Sequence, residues 1–237
     1  MELVWEGIVK AVELVFSGDG EVWAITWLSL KISGGATLIS LLLGIPIGIL
    51  LALARFPGRA VAVASVNTGM GLPPVVVGLF ISILLWRSGP LGFLEIIYTP
   101  TAMIIAQVVI ALPIVAGLTM ASFQSLDPNL ALQLLGIGAS KLQLLWLLCS
   151  EARLPLLAAV MAGFGGVISE VGASMMVGGN IRAQTRVLTT ATVLETGKGN
   201  FDIAIALGLI LLALCFALNF FLTHIQQRGR IQWPRLS

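Results

Sequence analysis

The chain has few charged residues for its length. Of its 237 residues, 10% are Asp, Glu, Lys or Arg, against roughly a quarter in an ordinary soluble domain, and the formal net charge is only +2. The basic residues lie between apolar runs and form no patch, which argues against binding to DNA or RNA. With 58% hydrophobic residues and a mean hydropathy of +1.03, the composition predicts an all-α, polytopic membrane protein.

Residue types that usually carry chemistry are also scarce. The single histidine, His224, lies at the end of the last apolar run, and Cys149 and Cys215 lie far apart in apolar stretches, where we expect buried thiols. There is no CxxC, HExxH, GxSxG or intramembrane aspartate pair, so neither a metal site, a disulfide nor an intramembrane enzyme is supported. The GxxxxGK[ST] motif is absent too, so ATP hydrolysis by that chemistry needs another polypeptide. We expect no cofactor.

Five apolar runs are long enough to cross the hydrocarbon core, which takes about 20 helical residues. They cover residues 32–54, 60–86, 96–126, 154–181 and 203–223. Several of them contain proline and glycine, including Pro73 and Pro74, which permit kinks and close helix packing. We predict about five spanning helices within a single transmembrane domain over residues 1–237.

Residues 1–20 precede the first of these runs. Their apolar positions recur at helical spacing, with Glu6, Lys10 and Glu13 on another face, a pattern typical of a helix that lies in the membrane interface. Acids come before any base, unlike the positive start of a cleaved signal peptide.

The distribution of basic residues favours a cell-membrane protein with its N-terminus outside and its C-terminus in the cytoplasm. In that orientation the inner segments hold seven basic residues: Arg55, Arg59, Lys141, Arg153, Arg228, Arg230 and Arg235. The outer segments hold five: Lys10, Arg87, Arg182, Arg186 and Lys198.

The segment 127–141 lies between the third and fourth runs. Asp127 is a natural N-cap and Pro128 fits the first helical position, so we predict that a short helix begins there and that a second helix follows Gly138. No charged residue occurs from Pro128 to Ser140, and an uncovered apolar face of that size invites association. The residues predicted to contact a partner are Asp127, Pro128, Leu132, Gln133, Leu134, Leu135, Gly136, Gly138, Ala139, Ser140 and Lys141.

Glu170 is the one carboxylate well inside an apolar run, and an intramembrane carboxylate is a functional candidate because burying it is costly. It either belongs to a pathway or gate, or lies near the helix end, solvated or paired with an arginine such as Arg182. The residues after it, including an outer loop at 179–201, offer amides, hydroxyls and guanidinium groups that suit an oxyanion or a docking protein. The pathway or gate candidates are Glu170, Gly172, Asn180, Arg182, Thr185, Pro73 and Pro74.

Several of these segments resemble one family. The stretch LLGIGASKLQ is similar to the glycine-centred cytoplasmic loop of ABC-importer permeases, with Gly138 at the glycine and Leu132, Gln133 and Leu134 where that loop has Glu-Ala-Ala. SEVGASMMVGGNIRAQTRVL resembles the corresponding segment of permeases in the molybdate, tungstate and sulfate branch. LPPVVVGL, RSGPLGFL and YTPTAMIIAQ look most like tungstate-type members.

The resemblance implies a type I ABC-importer permease with a cytoplasmic coupling helix at 127–141. It further implies two cytoplasmic ATP-binding subunits and an extracytoplasmic binding protein for a tetrahedral oxyanion, tungstate first, with molybdate or sulfate as alternatives. Five helices without an internal repeat suggest a pathway formed between two copies, so we predict a homodimer. An ATP-independent anion carrier or channel is the alternative class, because composition alone fits it equally well.

Overall fold

A computed structural model describes residues 2–228, and within that range the chain forms helices and connecting turns without a β-strand. A short 3₁₀ helix at Gly92–Leu94 precedes the fifth α-helix. The α-helices of the described range are α1 Glu2–Phe16, α2 Gly20–Leu53, α3 Arg59–Met70, α4 Pro74–Leu85, α5 Pro100–Gln124, α6 Pro128–Gly136, α7 Lys141–Glu151, α8 Arg153–Ile168, α9 Gly172–Gly178, α10 Leu188–Lys198 and α11 Phe201–Arg228.

The centre of the bundle is the contact between α2 and α5. A Cβ atom on Gly44 would lie 2.9 Å from Val115 Cγ1, and one on Gly48 would lie 2.6 Å from Thr119 Cβ. Small residues therefore let the two backbones approach closely, as is common between membrane helices. Because the contact advances along both helices together, α2 and α5 run in the same direction.

That parallel arrangement determines how the remaining helices cross the bundle. Two parallel spanning helices need a return between them, and the α3–α4 pair provides it. Helix α8 packs on α5 in the antiparallel direction. Gly163 packs on Val115, whereas the carbonyl of Val167, further along α8, accepts a hydrogen bond from Gln107, nearer the start of α5. Helices α2, α5 and α11 are each long and apolar enough to span a membrane, and the bent pairs α3–α4 and α7–α8 bring the number to as many as five. The predicted all-α, multi-pass architecture is confirmed.

The two bent pairs correct the predicted run boundaries. The run 60–86 is two helices that meet at 105°, because Pro73 and Pro74 remove amide donors and disfavour helical geometry before them. The run 154–181 is also interrupted: α8 ends at Ile168, and a separate short helix, α9, begins at Gly172. Helix α7 precedes α8 at an angle of 68°.

Other boundaries differ because of capping residues that an apolar scan does not weigh. The first span begins at Gly20 rather than residue 32, since the Asp19 carboxylate accepts from the amides of Glu21 and Val22 at 3.0 and 2.9 Å. The third begins at Pro100 rather than residue 96, after Thr99 as its N-cap. The predicted N-terminal helix is present as α1, packed along α11, and its position in a membrane interface stays a prediction.

The bundle has two distinct ends, which we name by the short helices that lie there. At the α6 end, Ile49 of α2, Phe123 of α5 and Leu148 of α7 share one apolar cluster. At the α10 end, Ile25 of α2 packs against Leu188.

Arg230 and Arg235, counted among the inner basic residues, lie outside the described residues. The two cysteines are partly exposed rather than buried.

Candidate functional site

Helix α4, from the interrupted run 60–86, and helix α9, from the interrupted run 154–181, are in contact. A Cβ on Gly172, at the start of α9, would lie 2.5 Å from Val75 Cγ2, at the start of α4. Further along, a Cβ on Gly78 would lie 2.7 Å from the Cα of Ala173. Helices α4 and α9 therefore lie against each other with almost no space for side chains between them. We call this contact the α4–α9 pair.

Glu170 holds the beginning of α9. Its side chain is buried, and its carboxylate accepts from the amide of Ala173 at 2.7 Å and from the amide of Ser174 at 2.9 Å. The Ser174 hydroxyl donates to the same carboxylate at 3.0 Å. These are the amides that a helix leaves free at its first turn, and the positive end of the helix dipole adds to the attraction. The carboxylate is therefore satisfied by its own chain.

Further hydrogen bonds tie the backbone of Glu170 and its partner Ser174 to neighbouring helices. The Thr189 hydroxyl of α10 donates to the Glu170 carbonyl at 3.0 Å. Gln107 of α5, which is only 2% exposed, donates through Nε2 to the Val167 carbonyl at 3.3 Å and to the Ser174 hydroxyl at 3.4 Å. A buried polar chain thus runs from α5 to α9 and α10. The hydrogen bonds of this network hold the three helices in place, while the buried Oε1 of Gln107 accepts no hydrogen bond within the described residues.

The outer-loop candidates serve mainly to order the loop itself. Thr185 is fully buried, and its hydroxyl donates to the Gly178 carbonyl while accepting from the Ile181 amide. Asn180 adopts a left-handed conformation, with φ of 52°, and donates through Nδ2 to the Thr190 carbonyl at 3.3 Å. Both side chains are thereby engaged within the chain.

Arg182 does not reach Glu170, so the suggested pairing of the two is wrong. It forms two hydrogen bonds with Glu21 near the start of α2, and Arg186 approaches the same carboxylate at 3.5 Å. Hydrogen bonding to Glu21, and then the charge of that carboxylate, raises the pKa of the Arg182 guanidinium above its ordinary value. Since Arg182 is largely exposed, the pair orients the loop more than it stabilises the fold.

The structure therefore divides the predicted pathway or gate set into two groups. Pro73, Pro74, Glu170 and Gly172 meet at the α4–α9 pair, whereas Asn180, Arg182 and Thr185 lie in the loop beyond α9. Sequence reasoning missed the partners Gln107, Ser174 and Thr189. Gln107 had a detectable signal, as a lone amide side chain in the middle of an otherwise apolar run.

The segment 127–141 folds locally as predicted. Asp127 caps α6 by accepting from the Asn129 amide at 2.9 Å, and Ser140 and Gln143 form a reciprocal capping box at the start of α7. Between the helices, Gly138 has a φ of +86°, a conformation that side chains with a Cβ rarely adopt. Its predicted contact with a partner subunit stays a prediction.

Helix α6 leaves an apolar surface uncovered. Leu130 packs towards the apolar cluster at the α6 end, but no residue of α6 is fully buried. Leu132, Leu135 and Ile137 are 67%, 49% and 83% exposed. We call these three side chains the α6 face, and a face of this kind is usually covered by a partner.

Comparison with solved structures shows which class of protein has this fold. The MetNI methionine ABC transporter, in an inward-facing conformation, contains a chain that matches 90% of the present one with a TM-score of 0.72 at 21% identity, over 99% of that chain. The fold is therefore that of an ABC-importer permease subunit. The chain belongs to the family described as the binding-protein-dependent transport system inner membrane component, whose model matches residues 44–231.

Two curated relatives are more similar in sequence. The tungstate uptake system permease protein TupB of Peptoclostridium acidaminophilum is 40% identical over 227 residues, covering 96% of this chain and all of that protein. A probable anion ABC transporter permease protein of Haloferax volcanii is 41% identical over 201 residues, covering 83% of this chain and 87% of that one.

Family membership confirms the predicted class. The chain is a multi-pass component of the inner membrane that serves transport and is not an enzyme, and permeases of this family work with separate ATP-binding subunits and a substrate-binding protein.

Removing the Glu170 carboxylate should destabilise the α4–α9 pair. In Glu170→Ala the amides of Ala173 and Ser174 lose their acceptor, which should cost about 1–3 kcal/mol of stability for each unsatisfied buried group. Glu170→Gln retains one acceptor oxygen, so its stability should lie between those of the wild type and Glu170→Ala. We expect the apparent Tm of the detergent-purified protein to decrease from wild type to Glu170→Gln to Glu170→Ala. Glu13→Ala, on the exposed face of α1, is the control and should melt with the wild type. A Glu170→Ala variant as stable as wild type would contradict this assignment.

Proposed function

We propose that the chain is the membrane-spanning permease of an ATP-driven importer for a tetrahedral oxyanion, with tungstate as the first candidate. The observation that carries the proposal is the 40% identity to a tungstate uptake permease over the full length of that relative. Molybdate and sulfate remain alternative cargoes for the same machinery. In this scheme the binding protein selects the anion, because the α4–α9 pair contains no cationic side chain to bind it tightly.

The α6 face would be the surface that docks on the ATP-binding subunit. The proposal rests on its exposed leucines and isoleucine and on the glycine turn that follows them. Leu130 connects α6 to the cluster that contains Phe123 of α5 and Leu148 of α7. A displacement of α6 driven by ATP would therefore be passed directly to two membrane helices. Such rigid-body movement between two packed arrangements is a common form of switching.

The α4–α9 pair would be the gate that this movement opens. Helix α5 carries Phe123 near one end and Gln107 about 24 Å further along, at 1.5 Å per residue. Gln107 contacts Ser174, which in turn contacts Glu170 at the start of α9. A tilt of α5 therefore has a continuous physical route from the α6 face to the gate.

The same arrangement supports the predicted orientation. The α6 end would face the cytoplasm, where ATP-binding subunits are found, and α2 would then begin outside. The end of α11 lies beside the start of α8, because Gln226 donates to the Leu154 carbonyl at 3.2 Å. The C-terminal end of α11 would accordingly be cytoplasmic, and the loop that holds Arg182 would be extracytoplasmic.

A homodimer is supported by the surface of α3. This helix belongs to a membrane-crossing pair, yet no residue of α3 is buried within one chain. Its exposed side chains include Asn67 and Thr68, whose polar groups lipid cannot solvate. A second copy packed across α3, with a polar pathway between the two chains, would cover or hydrate these groups.

Transport is tested by reconstituting the permease with its ATP-binding subunit and adding binding protein loaded in turn with tungstate, molybdate and sulfate. We expect the tungstate-loaded form to stimulate ATP hydrolysis and ATP-dependent anion uptake most strongly. Stimulation by another loaded form would reassign the cargo. Anion movement down its gradient without any ATP-binding subunit would instead favour an ATP-independent carrier or channel.

The role of the α6 face is tested by comparing two glycines with the same backbone strain. Gly138 and Gly58 have φ of +86° and +84°, and a Cβ at either position would meet no neighbouring atom. Gly138→Leu and Gly58→Leu should therefore both cost about 1–2 kcal/mol of stability. Only Gly138→Leu should lose the copurifying ATP-binding subunit and uptake. Equal copurification by the two variants would sink the docking assignment.

The dimer is tested by cross-linking through α3. In a background without Cys149 and Cys215, Thr68→Cys should give a product of twice the chain mass with a short bis-maleimide. Phe216→Cys, 71% exposed on α11, is the matched control and should remain monomeric on denaturing gels. The reverse pattern would place the dimer contact on α11.

A further inference from the structure

The connection between α4 and α5 forms a concave surface at the α10 end. Nine residues between Leu85 and Tyr98 line an open cavity of about 1080 Å³, which we call the outer cup. Phe93 is 76% exposed at this surface, and Trp86 and Tyr98 also line the cavity. Aromatic side chains in this number are unusual for a loop that only connects two helices, because each leaves a large apolar area uncovered.

The cup is held in shape by its own backbone. The Leu91 amide donates to the Leu84 carbonyl at 2.9 Å, and the Gly92 amide donates to the Gly89 carbonyl at 3.1 Å. A Cβ on either glycine would collide with backbone carbonyl oxygens of the preceding turn, so the chain can fold this tightly only with glycine there. A surface that is already ordered loses little entropy when it binds a partner.

The charges at the cup favour a protein as its occupant. Arg87 and Glu95 both line the cavity, and neither forms an ion pair with any residue in the described part of the chain. The Glu95 carboxylate would repel a free anion, and lipid chains cannot solvate either charged side chain. Aromatic anchors surrounded by charged groups are typical of protein–protein contacts, in which a few such anchors supply most of the affinity.

The cup is also joined to the α4–α9 pair. The Tyr98 amide donates to the Val177 carbonyl of α9 at 2.9 Å, and the Tyr98 ring lies where a Cβ of Gly179 would be only 2.9 Å away. The same ring contacts Trp86 edge to face, with 6.4 Å between ring centroids. An occupant that pressed on these aromatic rings would therefore act on the C-terminal end of α9, whose first turn is held by Glu170.

We propose that the outer cup is the docking surface for the extracytoplasmic binding protein and that Phe93 is its principal anchor. The inference rests on the proposed function, and it adds the place where that partner binds and the route by which binding reaches the gate. The partner segment should present an apolar tip that fits between Trp86 and Phe93, with charged groups placed to meet Arg87 and Glu95.

The test measures ATP hydrolysis by the complete permease–ATPase complex in lipid nanodiscs as the concentration of loaded binding protein is increased. Phe93→Ala should raise the concentration for half-maximal stimulation at least about tenfold, with basal hydrolysis and subunit assembly unchanged. Phe201→Ala removes a phenylalanine of 47% exposure at the start of α11, outside the cup, and should behave as wild type. Equal half-maximal concentrations for all three proteins would overturn the proposal.

A second measurement separates the cup from the transport proposal and from a lipid contact. A photoreactive phenylalanine analogue at position 93 should cross-link to the loaded binding protein in nanodiscs, and the same analogue at position 201 should not. Cross-links from position 93 to lipid alone would overturn the docking assignment, since interfacial aromatic side chains also contact headgroups. A cross-link to the binding protein without stimulation of the wild-type complex would support the cup while contradicting the proposed energy coupling.

Discussion

The arrangement of the α10 half of the molecule depends on one buried carboxylate. Glu170 lies in the break between α8 and α9, and its carboxylate accepts from the first free amides of the helix that follows. An anion within a membrane helix is costly unless it is paired, and a helix N-terminus can supply that pairing without any cation. The short helix so created is what allows α9 to lie flat against α4 and Tyr98 to bond to its last turn.

This arrangement explains why the polar residues of the α10 half do not resemble a binding site for the cargo. Ser174 donates to the Glu170 carboxylate and accepts from Gln107, and both Gln107 and Thr189 donate to backbone carbonyls, so these side chains fix the positions of helices. A pathway that binds its cargo weakly is useful in a transporter, because tight binding within the pathway would slow release. The proposed division of labour, with selection in a separate protein and movement in the permease, agrees with this distribution of polar groups.

The features that could be predicted from the sequence are those set by local chemistry. Composition established a multi-pass helical protein, and Asp127 and Pro128 gave the start of α6 because caps act within one turn. The kink allowed by Pro73 and Pro74 was anticipated, but the division of that run into two helices and the break after Ile168 were missed, since a scan for apolar length ignores where backbone hydrogen bonding stops. The pairing of Arg182 with Glu21, and the parallel packing of α2 on α5, depend on contacts between distant segments. No local pattern contains that information.

The uncovered α6 face has a consequence for the life of the protein in the cell. In the proposed orientation, a newly inserted permease without its ATP-binding subunit would present three large apolar side chains to the cytosol, and exposed apolar surface of this kind is what chaperones and proteases act on. Assembly would then act as the final step of maturation. The abundance of the permease would then depend on the supply of its proposed ATP-binding subunit as well as on its own synthesis.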